Sequence, residues 1–205
     1  PAAMVNINGR TLQSFGADLL ITDLKYSDPD NPSVNGHDNP FPMGQAAFIT
    51  TSDDGQMAVG IGIFSQAGMS SNYDMEGPFP FTGTRNYKAM GALAKILPGV
   101  AYQVTDDFSI GATLGVAVSH IELEGPYFLQ GPNPFMGTPL LLDMQSTGAA
   151  LAWSVGMQYD VSDDTRVGLT YTGETRFSMH GNTKAVIPGV GAARFSSDLD
   201  VEWPR

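Results

Sequence analysis

Ser119 is followed directly by His120, a pair that could in principle supply a hydroxyl nucleophile and an imidazole base for hydrolysis. The residues around them alternate between apolar and small, and on a strand adjacent side chains point to opposite faces, so this pair cannot meet. His37 and His180 lie in segments without a partner motif and read as solvated loop residues. The oxygen-rich run Asp28, Asp30, Asn31, Asn35 and Asp38 raises the possibility of a hard cation such as Ca²⁺. Pro32 stands at the fifth position of that run and Gly36 at the ninth, whereas an EF-hand loop needs glycine at the sixth. An ordinary turn-rich loop is the preferred reading, with a cation bridging to lipopolysaccharide as the alternative. The glycines of Gly189-Val190-Gly191 do not open a helix after a strand, so no nucleotide site is expected. The chain has no Cys, which removes thiolate catalysis, disulfides and Cys-ligated metals. No enzyme, cofactor or metal centre is expected.

Those residues are positioned by a chain of 205 residues that is 42% hydrophobic but only 15% charged, with 24 Gly and 14 Pro. So few charges imply a surface in contact with lipid, or a loop-rich β-protein. The net charge of -11 argues against nucleic acid, whose binding needs clustered Lys and Arg. No apolar run approaches the ~18 residues of a membrane helix, and no secretion signal opens the chain. The chain opens at Pro1-Ala2-Ala3-Met4 and stops at Val201-Glu202-Trp203-Pro204-Arg205, just as a strand begins, which reads as a fragment.

Period-two patterning dominates the rest. Phe108, Ile110, Ala112, Leu114, Val116 and Val118 form one face of a strand, opposed by Ser109, Gly111, Thr113, Gly115, Ala117 and Ser119. Ala149, Leu151, Trp153, Val155, Met157 and Tyr159 are likewise opposed by Gly148, Ala150, Ala152, Ser154, Gly156 and Gln158. Val167, Leu169 and Tyr171 oppose Arg166, Gly168, Thr170, Thr172, Glu174 and Arg176. Met57, Val59, Ile61 and Ile63 oppose Gln56, Ala58, Gly60 and Gly62, and Ile96, Val100, Tyr102 and Val104 keep the same period.

Short turns at Asp53-Asp54-Gly55, Thr105-Asp106-Asp107 and Ser162-Asp163-Asp164-Thr165 alternate with long connections near 27–43, 65–91, 122–147 and 178–198. Tyr102, Phe108 and Tyr159 lie on the apolar face close to the short turns, where an interfacial girdle belongs. These features predict an all-β, antiparallel transmembrane β-barrel of the bacterial outer membrane, with short turns toward the periplasm. A soluble β-sandwich is the competing fold, but two inner faces made of Gly, Ala, Ser and Thr suit a lumen better.

The residues resemble the FadL-type long-chain fatty acid transporters, a family that includes aromatic-hydrocarbon relatives. Pro1-Ala2-Ala3 resembles the segment that follows the family's N-terminal plug. Pro98-Gly99-Val100-Ala101-Tyr102 and Asp107-Phe108-Ser109-Ile110-Gly111 resemble its fourth and fifth strands. Val167-Gly168-Leu169-Thr170-Tyr171, with Glu174 and Gly181-Asn182, resembles its seventh. The resemblance implies a 14-stranded, monomeric barrel of which residues 1–205 supply one partial domain: seven strands and the start of an eighth, without the plug or the remaining strands. It also implies loop capture of cargo, an inner pocket, and sideways release at a kink in the third strand without an energy source.

Several residues could serve those steps. Tyr127, Phe128, Leu129, Phe135, Met136, Leu140, Leu141 and Leu142 form an apolar cluster in the third long connection, which either binds ligand or packs on itself to cap the barrel. Ala185, Val186, Ile187 and Val190 could face it. Gly60, Gly62 and Gly68 could permit the kink, or make room for lumen contents. Arg166 and Arg176 could hold a cargo carboxylate, with an Arg-Glu ladder through Glu174 as the structural alternative. Thr172 stands where the family often has a basic residue, which keeps a neutral hydrocarbon open as cargo beside a long-chain fatty acid. Outer-membrane lipid and lipopolysaccharide are the other expected partners. A general diffusion porin is the remaining alternative, although rows of lumen charge would then be expected.

Overall fold

The computed structural model describes residues 1–7, 10–37, 40–162 and 164–203, so Asp38 of the acidic run and Asp163 of the third short turn lie outside the described residues. Among the described residues a short 3-10 turn, Ala2–Asn6, precedes eleven strands. These are β1 (Thr11–Leu20), β2 (Lys25–Tyr26), β3 (Val34–Asn35), β4 (Phe41–Thr51), β5 (Met57–Glu76), β6 (Thr84–Thr105), β7 (Phe108–Phe128), β8 (Pro139–Ser162), β9 (Thr165–Thr172), β10 (Thr175–Ile187) and β11 (Gly191–Trp203). β2 and β3 form a small separate hairpin in the first long connection.

The other strands make one antiparallel sheet in the order β1-β4-β5-β6-β7-β8-β10-β11, with β9 also paired to β8. β9 and β10 occupy one place in the wall, since Ser154 faces Thr172 and Thr147 faces His180 on the same β8. The wall therefore follows sequence order, as an up-and-down barrel requires. Sheet edges lie at β1 and β11, and the sheet is not closed.

The apolar faces point outward. Ile61, Ile63, Val100, Ile110, Leu114, Leu151 and Leu169 are exposed, while Ala58, Ala101, Ala117 and Ala152 on the opposite face are buried. Phe108 lies directly across from Tyr159 and Met57 from Tyr102, which places the aromatic residues in rows beside the short turns. At the first of these turns Gly55 has φ +74°, and the Asp54 carboxylate accepts hydrogen bonds from the Ser52 hydroxyl (2.5 Å) and the Gln56 N–H (3.0 Å).

The strands run much further than alternation alone predicts. The expected connections at 65–91, 122–147 and 178–198 shrink to 77–83, 129–138 and 188–190, because paired backbone continues after the apolar period ends. β8 has 24 residues; at ~3.4 Å per residue it extends about 80 Å, against a hydrocarbon thickness of about 30 Å. More than half of such a strand stands outside the hydrocarbon, where its outward side chains need not be apolar. Lys88, Glu122, Asp143 and Lys184 occupy that upper part.

Candidate functional site

The inner face is floored by the chain's first residues. The Ala2–Asn6 turn lies across β5 to β8, with Val5 packed on Ala58 and Ala101. Two cross-strand glycine pairs, Gly60 with Gly99 and Gly111 with Gly156, leave space for it. A Cβ at Gly111 would lie 2.8 Å from the Ala2 nitrogen, and one at Gly156 would lie 3.1 Å from the Pro1 ring. Met4 reaches toward Gly60 and Gly99 in the same way. The buried Ser109 hydroxyl donates to the Ala2 carbonyl at 3.4 Å.

Above this floor is a cavity of about 390 Å³, lined among others by Gln45, Phe64, Gln66, Lys95, Thr113 and Trp153. That volume lies within the range of small-molecule sites, ~300–1,000 Å³. Polar groups make up much of its lining: Gln45, Ser65, Gln66, Thr113, Ser154 and Thr172 surround it, Thr113 and Ser154 share a hydrogen bond of 2.6 Å, and Lys95 brings the charge. Higher still, Phe177 and Met179 of β10 pack with Leu93, Ala117 and Ala152 into a small apolar core. The cavity thus has an apolar ceiling and a peptide floor.

One side of the cavity meets a break in the wall. β4 pairs with β5 from Thr51↔Ala58 to Gln45↔Phe64 and no further, although β4 continues to Phe41. β5 keeps its pairing with β6 but carries one extra residue, Gln66, between Ser65 and Ala67. Where the β4–β5 ladder has ended, the Ser65 hydroxyl accepts the Gly44 N–H at 3.2 Å. Outside this point Phe15, Gly44, Ile63 and Ser65 help to line an open depression.

The register shift in β5 lies at Gln66. Gly60 and Gly62 sit in unbroken ladder, Gly60 under Met4 and Gly62 under the Phe64 ring, which a Cβ there would strike at 2.3 Å. Gly68 lies just beyond the bulge, where a Cβ would fall 1.9 Å from the Phe41 ring.

The two arginines are not brought together. Arg166 is on the inner face near the short-turn rim, held by a fork to Asp160 that includes Nη2 to Oδ2 at 2.6 Å. Arg176 corrects the sequence reading. β8 residues 148–153 lie opposite 173–179, one residue more, so the period reverses at Gly173-Glu174. Arg176 consequently faces outward, paired with Glu174 and 3.6 Å from Glu202, while Thr175 and Phe177 turn inward and are buried.

The apolar cluster of the third connection is also redistributed. Tyr127 and Phe128 belong to β7 and Leu140, Leu141 and Leu142 to β8, as rungs of a long hairpin in which Tyr127 faces Leu140. Phe128 meets Phe81 edge-on at 5.9 Å and Leu140 is buried. Leu129, Phe135 and Met136 lie in the connecting segment, with Phe135 and Met136 exposed. Leu141 and Leu142 pair with Val186 and Ala185, and a rim cavity of about 260 Å³ there is shared with Arg85, Glu124, Asp143 and Lys184. Ile187 ends β10 and its carbonyl accepts the Val190 N–H.

Ser119 is fully buried on the inner face, whereas His120 points outward to Thr147 (2.7 Å) and Glu122 (3.1 Å). His37 bonds Asp74 and His180 bonds Asp198, at 3.0 and 2.6 Å. The Asp28 carboxylate caps its own turn by accepting the N–H groups of Asp30 and Asn31. Asn31 ties that turn to β5 through the Glu76 backbone. A larger apolar hollow, about 500 Å³, is framed chiefly by Val100, Tyr102, Ile110, Val155, Met157 and Leu169 on the outward face.

Lys95 was missed by the sequence reading. It is 9% exposed, and among the described residues no hydrogen-bond or ion-pair partner reaches its ammonium. Continuing the inner face of β6 back from Ala101 through Gly99 and Leu97 leads directly to it.

Residues 1–200 match the model of the family described as outer membrane protein transport protein (OMPP1/FadL/TodX). No curated protein matches the chain. Among solved structures, the Ralstonia pickettii toluene transporter TbuX is similar at 19% identity and TM-score 0.75, over 98% of this chain and 57% of that one. The P. putida toluene transporter TodX is similar at 17% identity and TM-score 0.73, over 98% and 56%. A Pseudomonas aeruginosa FadL homologue is similar at 17% identity and TM-score 0.66, again over 98% and 56%. The chain thus spans a little over half the length of these structures and reproduces the corresponding part of their barrels. With the family model matched along nearly its whole length, the chain belongs to the OMPP1/FadL/TodX family of outer membrane transport proteins.

Proposed function

We propose that the protein passes hydrophobic molecules, foremost long-chain fatty acids, into the outer membrane by passive diffusion through its lumen and out through the wall between β4 and β5. The observation that carries this is the coincidence of three features: the end of the β4–β5 ladder, the extra residue at Gln66, and an inner cavity lined by Phe64, Ser65 and Gln66. An apolar solute in that cavity needs no aqueous exit, because the outer mouth opens among lipid-facing side chains such as Phe15 and Ile63. Leu141, Leu142 and Val186 at the upper rim supply the capture surface, together with Phe135 and Met136. The polar outward band with Lys88 and Lys184 meets lipid and lipopolysaccharide head groups, and the barrel works as a monomer.

An aromatic hydrocarbon is the second reading. The toluene transporters among the similar structures favour it, as does the uncharged Thr172 on the inner wall.

The test exploits a chain without Cys. Gly44→Cys with Ser65→Cys places two thiols across the break, and a disulfide there staples β4 to β5. Oxidation is expected to abolish uptake of labelled oleate by cells carrying the protein, and reductant to restore it. Unchanged uptake with the disulfide formed overturns exit through this wall.

A further inference from the structure

Lys95 is a charged side chain in the apolar half of the wall, and neither the floor nor the ceiling of the cavity gives it a counter-ion. It faces Phe64 on β5 and Ala117 on β7, so no carboxylate stands across from it on either neighbouring strand. The other groups around the cavity are neutral: Gln45, Gln66, Thr113, Ser154 and Thr172. The stem of Lys95 is covered while its unpaired ammonium opens into the cavity, where it can accept an anionic group as counter-ion. Arg166 is committed to Asp160 on the inner face, and Arg85, the other cation on this face of β6 without a carboxylate partner among the described residues, lies at the rim cavity, so Lys95 is the unpaired cation beside the break.

Its position also has a direction. Lys95 is the ladder partner of Phe64, and Phe64 is in turn the last β5 residue paired to β4. A head group bound to Lys95 therefore lies immediately inside the break, with Phe64, Leu97 and Ala152 as apolar wall for a tail.

We infer that Lys95 is a specificity-determining residue of the cavity: its ammonium binds the carboxylate of an amphiphilic cargo just inside the β4–β5 break, so the site selects single-chain anionic amphiphiles over neutral hydrocarbons. This rests on the reading of the cavity as the cargo path. The bond is a charge-assisted contact, and its loss costs more than loss of a hydrogen bond between neutral groups.

The experiment compares the intact wild-type protein with Lys95→Met, using displacement of the neutral fluorophore N-phenyl-1-naphthylamine by oleate, oleyl alcohol and toluene. Wild type is expected to prefer oleate to oleyl alcohol, and Lys95→Met to lose about 30-fold in oleate affinity with oleyl alcohol unchanged. Lys95→Arg should retain the preference for oleate. Equal loss for oleate and oleyl alcohol in Lys95→Met makes Lys95 a packing residue and overturns the assignment, as does no loss for either. If wild type binds fluorophore, oleate, oleyl alcohol and toluene not at all, the cargo path itself is wrong and the assignment falls with it. Unfolding in urea, followed by Trp fluorescence, provides an independent check. Lys95→Met should be at least as stable as wild type, since it removes an uncompensated charge, and a large loss of stability would mean that Lys95 holds the fold instead.

Discussion

The extra residue at Gln66 in β5 and the extra residue between β9 and β10 both shift the ladder by one position, yet their surroundings differ in kind. At Gln66 the pairing with β6 continues on both sides while the pairing with β4 stops, so the wall parts and a side-chain hydroxyl bridges Gly44 to Ser65. At Gly173-Glu174 pairing to β8 lapses, but the gap is filled: the Trp153 ring covers Gly173, and Phe177 and Met179 pack inward. One irregularity yields an opening and the other yields a core. The difference lies in the side chains that follow. Ser65 and Gln66 are small or polar and cannot seal an apolar seam, whereas Phe177 and Met179 bury large apolar surfaces against Leu93 and Ala117.

Truncations at the two irregularities test this most strongly. Phe177→Ala should cost about 3–5 kcal/mol in urea unfolding of the refolded protein, because the 1% exposed ring leaves a void. Phe64→Ala, beside the open break, should cost no more than about 1.5 kcal/mol, since its ring is only partly buried. Equal costs would erase the distinction between a filled and an open irregularity. A smaller effect is expected from Gly68→Ala, whose methyl displaces the Phe41 ring from the upper end of the break. A loss of about 1 kcal/mol is expected, and it should vanish in a Phe41→Ala background; persistence there would mean that the backbone, not the ring, is the obstacle.

The smallest effect concerns the tether above the break. Hydrogen bonds from Asn86 and His37 hold the Asp74 carboxyl below its ordinary value. A depressed carboxylate contributes stability that is complete above its unfolded pKa and is lost as pH falls through the folded one, so the tether should loosen only below about pH 4. Limited proteolysis between residues 27 and 37 should rise there in wild type, and Asp74→Asn should show no such acid-dependent step.

The sequence made the membrane-spanning wall legible because period two persists wherever lipid touches one face, as from Phe108 to Val118. It concealed the upper strands, since Glu122, Glu124 and Asp143 remain in ladder after lipid contact ends and look like loop residues. It misplaced Arg176 because a single extra residue reverses every side chain beyond it, and Gly173-Glu174 carries no signal that distinguishes a bulge from continued strand. Lys95 escaped because the outward face of β6 drew attention while its inward face went unsorted.

The glycine-lined seat also bears on the order of events during folding. Ala2 and Ser109 are separated by 107 positions, and Gly156 lies further along still. No local segment can make those contacts, and entropy defers them until β5 to β8 stand side by side. Docking of the first residues is therefore a late event that reports a completed wall, and a protease cleaving near Met4 would distinguish unfinished barrels from finished ones.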